Sequence, residues 1–299
     1  MRIMKGLEMG FKNLIRNLKY LRKVDLKDKF DEKHTISLID SLKYEILDDL
    51  KELRPPIIKD VNETIHAIIE SRASICRFGD GELNLIRQIS IPFQTASLPL
   101  SERLITVLSS SHKNTFIAIT RANYYSKKNI SDIDKNFLRL YGRDFRDTIE
   151  KHISPGKTYY SAEVTLAYTV YKEYNYELYF QAMRKIWSRR KLTIICGTTI
   201  FDNIENNIFD NAESVDYQYA PSLNAFESYN DIFDSAKRID KNNLIIIILG
   251  PTATVLAYDL SLLGYQALDF GHIAKSYDWF KKEKKINHIK DAFNFYDPD

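Results

Sequence analysis

A glycine-containing loop with two carboxylates has the clearest chemical use in this chain. It reads Arg77-Phe78-Gly79-Asp80-Gly81-Glu82 and lies between an apolar strand-like run and an apolar helical stretch. Mg²⁺ and Mn²⁺ prefer oxygen ligands of this kind, and both ions also bind substrate phosphates. Arg77 adds a bidentate donor for an anion. The alternative is a solvated turn in which Asp80 or Glu82 caps the following helix.

A second segment is suited to bind phosphate through its backbone. Gly250-Pro251-Thr252-Ala253-Thr254 follows the most apolar run of the chain and opens a helical stretch. Free N–H groups of a first helical turn, the threonine hydroxyls and the helix dipole all favour an anion. The segment is neither a Walker A loop nor the Gly-x-Gly-x-x-Gly fingerprint, so an ATPase or a typical dehydrogenase is not supported. A capped structural turn is the alternative.

Two further candidates are an acid–histidine pair and an asparagine. Asp269 and His272 stand in Asp269-Phe270-Gly271-His272, at the end of the last strand-like run, and could complete a metal shell or act as general base. Asn224 stands in the loop from Pro221 to Phe226, and its side-chain amide could hold a base or a sugar. A structural histidine and an ordinary helix entry are the respective alternatives.

The elements that must position these residues alternate between strands and helices. The β-like runs are Ser74 to Phe78, Thr115 to Thr120, Thr158 to Ser161, Leu192 to Cys196, Ser214 to Tyr219, Leu244 to Leu249 and Gln266 to Phe270. Helical periodicity fills most gaps between them, which predicts an α/β fold with a Rossmann-like, mostly parallel sheet and flanking helices. The candidate loops all follow strands, at the sheet edge where open α/β sheets bind ligands.

The N-terminal region is predicted to be a separate helical extension. Residues 1–23 hold seven Lys or Arg and one Glu, with apolar residues at helical spacing on one face. This pattern predicts an amphipathic helix that binds an anionic membrane, or that packs on its own core or on a second subunit. A polar helix, roughly Thr35 to Leu53, ends at Arg54-Pro55-Pro56. Asp60 and Glu63 then predict a capping box at the start of the main domain.

Composition restricts the class of protein. The chain has 299 residues, of which 44% are hydrophobic and 28% charged, as in globular proteins. Its two cysteines exclude a disulfide scaffold. The longest apolar run has six residues, against roughly 20 for a membrane span, and the charged N-terminus is unlike a signal peptide. We therefore expect a cytoplasmic protein, peripheral at the inner face of the membrane if residues 1–23 bind lipid. Nucleic acid is not an expected partner, and homo-oligomers are left open.

Several strings resemble the GT-D-type glycosyltransferases, a family first catalogued as a domain of unknown function. They are the Arg77 to Glu82 loop, Pro221 with Asn224-Ala225-Phe226 and Tyr229, the Leu249 to Leu260 string, Leu263-Gly264-Tyr265-Gln266, and Gly271-His272-Ile273 with Tyr277, Trp279 and Phe280. The resemblance covers about residues 60–285. Together with the boundary at Arg54-Pro55-Pro56, it gives an extension at 1–55, a transferase domain at 56–290 and a tail at 291–299.

The resemblance implies a metal-dependent transferase that uses a sugar nucleotide, typically UDP-glucose. Its Asp-x-Glu motif falls on Asp80 and Glu82, which would hold Mn²⁺ or Mg²⁺ against the donor diphosphate. His272 is then a metal ligand or the base, and Asp269 the other candidate base. Donor contacts would come from Arg77, Phe78, Gly79, Gly81, Asn224, Gly250, Pro251, Thr252, Ala253 and Thr254. The acceptor would be a surface polysaccharide, an adhesin glycan or a lipid-linked glycan.

One segment departs from the family pattern and keeps a second hypothesis open. Members often carry a Gly-Glu-x-Ser-Arg-like segment, whereas this chain reads Cys196-Gly197-Thr198-Thr199-Ile200-Phe201-Asp202. The departure is compatible with a non-catalytic sugar-nucleotide-binding or scaffold protein that recruits partner transferases to the membrane. A sugar-nucleotide hydrolase is a third possibility.

Overall fold

The computed structural model describes residues 35–42, 55–154, 156–286, 291–292 and 295. Residues 35–42 are helical, in agreement with the start of the predicted helix from Thr35 to Leu53. The remainder of that helix, the amphipathic helix predicted for residues 1–23 and most of the predicted tail at 291–299 lie outside the described residues. The domain boundary placed at residue 55 stays a prediction.

Strands in the described residues form one parallel sheet of eight. They are β1 (Ile57–Ile58), β2 (Ser74–Phe78), β3 (Thr115–Ile119), β4 (Thr158–Ser161), β5 (Lys191–Gly197), β6 (Ser214–Ala220), β7 (Leu244–Ile248) and β8 (Ala267–Asp269). Their order across the sheet is β1-β4-β3-β2-β8-β7-β5-β6. The predicted α/β fold with a parallel sheet is confirmed. Only β1 was missed, because two residues are too few to show a period.

Helices connect the strands. They are α1 (Val61–Ser71), α2 (Asp80–Ile86), α3 (Leu98–Ser109), α4 (Asp132–Glu150), α5 (Ala167–Val170), α6 (Tyr176–Lys185), α7 (Tyr229–Ala236), α8 (Pro251–Leu262) and α9 (Ile273–Lys281). The predicted capping box at α1 is confirmed, because Asp60 Oδ1 accepts from Glu63 N at 2.9 Å and Glu63 Oε2 accepts from Asp60 N at 2.8 Å. None of the described helices is long and apolar enough to cross a bilayer.

The core consists of two layers, one on each face of the sheet. Strand β7 shows this best, because all five of its residues are buried. Leu244 and Ile246 belong to one buried cluster, whereas Ile245 and Ile247 belong to the other. Successive side chains of a strand point to opposite faces, so a run of isoleucines fits a central strand covered on both sides.

The order in which the chain adds strands to the sheet reverses at β2. From β2 it proceeds to β3 and β4 on one side, whereas β8, β7, β5 and β6 lie on the other. Helices α2, α8 and α9 begin within a few residues of the carboxyl ends of β2, β7 and β8. Ligands of open α/β sheets bind at the carboxyl edge, where the strand order reverses. The fold therefore brings the predicted loops to one place.

Candidate active site

A cavity of about 630 Å³ opens at the carboxyl edge of the sheet. Among the sequence-predicted residues, it is lined by Arg77, Gly79, Asp80, Gly81, Glu82, Gly250, Pro251, Asp269 and His272. Phe78, Asn224, Thr252, Ala253 and Thr254 are not among its lining residues. The structure thus brings the two-carboxylate loop, the start of α8 and the end of β8 together, as predicted.

Asp80 and Glu82 are carboxylates held in a desolvated place. Glu82 Oε2 accepts a hydrogen bond from Gly79 N at 2.8 Å, so the helix-capping alternative holds for this one oxygen. Burial, followed by the charge of Asp269, raises the pKa of Glu82 to about 7. Burial also raises the pKa of Asp80. Two acids that are costly to ionise and that face a cavity are suited to a cation, which would stabilise their charged forms.

Arg77 is bonded entirely within the protein. Its Nε donates to Asp269 O at 2.7 Å. Nη1 donates to Ala162 O at 3.3 Å and Thr165 Oγ1 at 2.7 Å, and Nη2 donates to Asp269 Oδ1 and Gly271 O, each at 3.3 Å. These bonds use all five donors of the guanidinium. A diphosphate contact of the kind predicted would require one of them to break. Arg77 thus connects β2 to the end of β8 and to the residues that follow β4 and β8.

Asp269 is part of the same network. Its Oδ2 accepts from Arg77 N and from Thr254 Oγ1, both at 3.0 Å. The Thr254 hydroxyl also lies 3.1 Å from Arg77 O. Asp269 and Thr254 therefore fix the start of α8 against β2 and β8. The roles predicted from the sequence, a base for Asp269 and a diphosphate contact for Thr254, stay predictions.

His272 is positioned as a neutral ring. It precedes α9 with a left-handed φ of 68°, and its ring stacks on Phe295 with centroids 5.7 Å apart. Burial, followed by the charge of Arg77, lowers the pKa of His272 to about 3. A ring with so low a pKa is neutral near pH 7, and the role of His272 as general base stays a prediction.

The predicted three-ligand metal set is not assembled by the protein alone. Within the part of the chain that the structure describes, no three His, Cys, Asp or Glu side chains are close enough to hold a metal ion together. Asp80 and Glu82 are thus not joined by His272 into such a group. Its role as a metal ligand stays a prediction.

Asn224 holds the segment that carries Phe93, and Phe93 lines the cavity. The backbone N of Asn224 donates to Phe93 O at 2.9 Å, and Asn224 Oδ1 accepts from Thr95 N at 2.8 Å. The Phe93 ring lies over Gly250, where an added Cβ would come within 2.7 Å of the ring. Asn224 therefore holds an aromatic side chain against the start of α8. A direct donor contact for Asn224 stays a prediction.

Gly250→Ala is expected to lower the free energy of unfolding by about 1–3 kcal/mol, from backbone strain and a clash. Gly250 has a φ of 51° and a ψ of −142°, which disfavour any residue with a Cβ. Chemical denaturation measures the loss, and Phe93→Leu in the same chain should restore only the part due to the clash. Gly142→Ala, in α4 with ordinary contacts, is the control and should cost nothing. Equal stability of the Gly250 and Gly142 variants would contradict the prediction.

Sequence reasoning missed several polar residues that line the cavity. Among them are Asn123, Asp134, Glu163 and Lys275. Glu163 follows β4 directly, so the rule that ligands bind at carboxyl ends of strands could have identified it. Asp134 lies in the first turn of α4, where an acidic residue is expected for helix stability alone. No local pattern marks Asn123 or Lys275.

Comparisons with known proteins agree with this geometry. Residues 75–292 match the family described as glycosyltransferase GT-D fold. The chain is 28% identical over 277 residues to "Glycosyltransferase GlyD" of Streptococcus pneumoniae, covering 90% of this chain and 34% of that protein. It is 31% identical over 255 residues to "Probable glycosyl transferase Gly" of Streptococcus gordonii, covering 83% of this chain and 37% of that protein. The chain thus spans about a third of the length of these curated relatives.

A solved structure with a similar fold is also described as having a glycosyltransferase fold. It is described as the highly conserved domain of unknown function 1792 with a distinct glycosyltransferase fold, and it superposes with a TM-score of 0.73 at 28% identity. The match covers 83% of this chain and 86% of that one. The family match includes every sequence-predicted site residue, from Arg77 to His272. The family match and the shared fold together show that the chain belongs to the GT-D family of glycosyltransferases.

Proposed function

We propose that this chain is a metal-dependent glycosyltransferase that moves a hexose from a UDP-sugar, with glucose as the expected hexose. The acceptor would be a cell-surface polysaccharide or an adhesin glycan, free or lipid-linked. The observation that carries the proposal is the pair of buried carboxylates, Asp80 and Glu82, which line the same cavity as the start of α8. Transfer from a sugar nucleotide requires a site for the anionic diphosphate next to a site for the cation. The start of α8 suits the diphosphate and the two carboxylates suit the cation, and both lie at the same edge of the sheet.

The carboxylates fit Mg²⁺ or Mn²⁺. Mg²⁺ is usually bound through one or two carboxylates, with waters and substrate phosphates as the other ligands. Asp80 and Glu82 supply such a pair, and burial raises the pKa of each, so a bound cation would stabilise their charged forms. When bound, the ion would neutralise charge on the leaving UDP.

The other residues position the donor. The N-terminus of α8, at Gly250 and Pro251, presents its positive dipole end to the cavity. Lys275, in α9, adds a cation to the lining. Arg77 and Asp269 keep the loops that carry these groups at fixed separation. Phe93 packs against Gly250 at the start of α8.

Contact with the inner face of the membrane through residues 1–23 is part of the proposal. It rests on the sequence of that segment, whose basic residues suit anionic headgroups. Such contact would bring the cavity near a lipid-linked acceptor. Assembly into a homo-oligomer through the same segment is the competing use of its apolar face.

Calorimetric titration tests the donor site. UDP-glucose, UDP-N-acetylglucosamine and UDP-galactose are titrated into the folded chain with and without Mn²⁺. One donor is expected to bind only with the metal, and Asp80→Asn should weaken its binding about tenfold or more, since a carboxylate–metal contact is lost. Asp132→Asn is the matched control, because Asp132 is 76% exposed on α4 and should leave binding unchanged.

Other results would point to different functions. A folded chain that binds none of the three donors with Mn²⁺ would contradict the proposal and favour a scaffold that recruits partner transferases. Donor binding with UDP release that does not depend on any acceptor would favour a sugar-nucleotide hydrolase.

A further inference from the structure

The cavity extends beyond the two-carboxylate loop to the other side of β2. Loops after β8, β7, β5 and β6 lie on one side of β2 and hold the residues expected to meet the donor. Loops after β3 and β4 lie on the other side. The part of the cavity on that second side, here named the acceptor lobe, is lined by Asn123, Ile133, Asp134, Phe137, Glu163 and Leu166.

The acceptor lobe contains a buried amide without partners. Asn123 is 3% exposed, and neither its Nδ2 nor its Oδ1 has a hydrogen-bond partner. Buried polar groups are nearly always hydrogen-bonded, so an unsatisfied amide beside a cavity requires an explanation. A ligand hydroxyl, which both donates and accepts, would satisfy it.

Two carboxylates are fixed beside this amide. Glu163 Oε1 accepts from Ala122 N at 3.1 Å, and its Oε2 accepts from Ser161 Oγ at 2.6 Å. Ser131 Oγ donates to Asp134 Oδ2 and fixes that side chain in the first turn of α4. Each carboxylate oxygen has a second lone pair, so both groups can still accept from a ligand hydroxyl.

The acceptor lobe also adjoins the proposed metal ligands. Burial, with smaller contributions from the charges of Glu163 and Asp80, raises the pKa of Asp134 to about 6. Asp134 and Glu163 line the same continuous cavity as Asp80. A hydroxyl bonded to Asp134 would thus lie next to the donor side of the cavity.

The remaining walls are apolar. Ile133, Phe137 and Leu166 line the lobe with hydrocarbon. A hexopyranose has the matching surface, because its C–H faces are apolar and its rim carries hydroxyls. An acyl chain would leave the Asn123 amide unpaired and would desolvate the Asp134 and Glu163 carboxylates further, which is costly.

We infer that the acceptor lobe binds the acceptor as a hexopyranose, with its hydroxyls bonded to Asn123, Asp134 and Glu163. This inference rests on the proposed function, since it supplies the second substrate of the same reaction. It assigns carbohydrate specificity to residues after β3 and β4 and to α4, none of which carries the proposed metal motif.

Binding of methyl hexosides tests the inference. Saturation-transfer NMR is run on the full chain with UDP and Mn²⁺, using the methyl β-glycosides of glucose, galactose and N-acetylglucosamine. Wild type should bind at least one of them. Asp134→Asn and Asn123→Ala should each weaken that binding about tenfold or more, the usual effect of losing a hydrogen bond to a charged or buried group.

Two controls separate binding from folding. Asp132→Asn makes the same chemical change on the exposed side of α4 and should leave hexoside binding unchanged. Asn123→Ala removes an amide that has no protein partner, so its thermal unfolding temperature should equal or exceed that of wild type. A purely structural role for Asn123 predicts a lower temperature.

The outcomes distinguish this inference from the proposed function. Wild type that binds none of the hexosides, or variants that bind them as wild type does, would overturn the acceptor lobe even if UDP-sugar binds. Hexoside binding that depends on Asp134, in a chain that binds no UDP-sugar, would keep the carbohydrate site and overturn the proposed function.

Discussion

On the proposed metal role, replacing Asp80 with Asn or Glu82 with Gln is expected to lower the rate of the proposed hexose transfer by about 10²–10³-fold, because a bound metal ion would contribute several kcal/mol of transition-state stabilisation. Both variants keep the size of the side chain, and Glu82→Gln keeps the oxygen that accepts from Gly79 N. The fold should therefore persist, with unfolding curves like those of wild type. The measurement is donor turnover with Mn²⁺, and chelation by EDTA should reproduce the loss in wild type.

Glu63→Gln is the matched control for Glu82→Gln. Glu63 occupies the same position in α1 that Glu82 occupies in α2, and it accepts from Asp60 N at 2.8 Å. It lies outside the cavity, so its replacement removes a cap charge and should not alter turnover. A Glu82→Gln enzyme with a rate within about threefold of wild type would contradict the metal role, since that difference is under 1 kcal/mol.

The fold could be predicted from the sequence because each strand carries its own signal. Leu244 to Leu249 is apolar throughout, as a strand covered on both faces must be, and β7 lies there. Glycines marked the loops after β2 and β7, where the chain turns into helices α2 and α8. Such signals are local, so each strand can be identified from the sequence without knowledge of the strand order.

The site could be predicted only where its residues are neighbours in sequence. Asp80 and Glu82 stand two residues apart in the first turn of α2, and they line the cavity as expected. Asn123, Asp134 and Glu163 come from three separate segments, and only the packing of α4 over the β3 and β4 loops brings them together. Nothing in the spacing of those residues could reveal that contact.

The sequence also could not show that every guanidinium donor of Arg77 is already bonded within the protein. Arg77 next to a two-carboxylate loop has the chemistry of a diphosphate ligand. Its five donors bind acceptors that lie 85 or more residues away along the chain. A sequence shows which donors a residue has, but only the fold shows which acceptors have already taken them.

Arg77→Met will lower the free energy of unfolding by about 3–5 kcal/mol, the usual cost of removing one partner of a buried ion pair. The Arg77 and Asp269 side chains are 12% and 4% exposed, with Nη2 and Oδ1 3.3 Å apart. Without the guanidinium, Asp269 Oδ1 and the carbonyls of Ala162 and Gly271 lose the hydrogen bonds that it donates, whereas Asp269 Oδ2 keeps its bonds from Arg77 N and Thr254 Oγ1. Urea denaturation in the absence of any donor sugar measures the loss.

Arg87→Met supplies the comparison that decides between a structural and a ligand-binding role. Arg87 pairs with Asp144 at 2.6 Å, but the two side chains are 30% and 48% exposed, so this variant should cost no more than about 1 kcal/mol. If Arg77 instead served chiefly to bind diphosphate, Arg77→Met would unfold like Arg87→Met and would lose only donor affinity. A loss of stability without ligand is explained by the five bonds alone, because they exist before any substrate arrives.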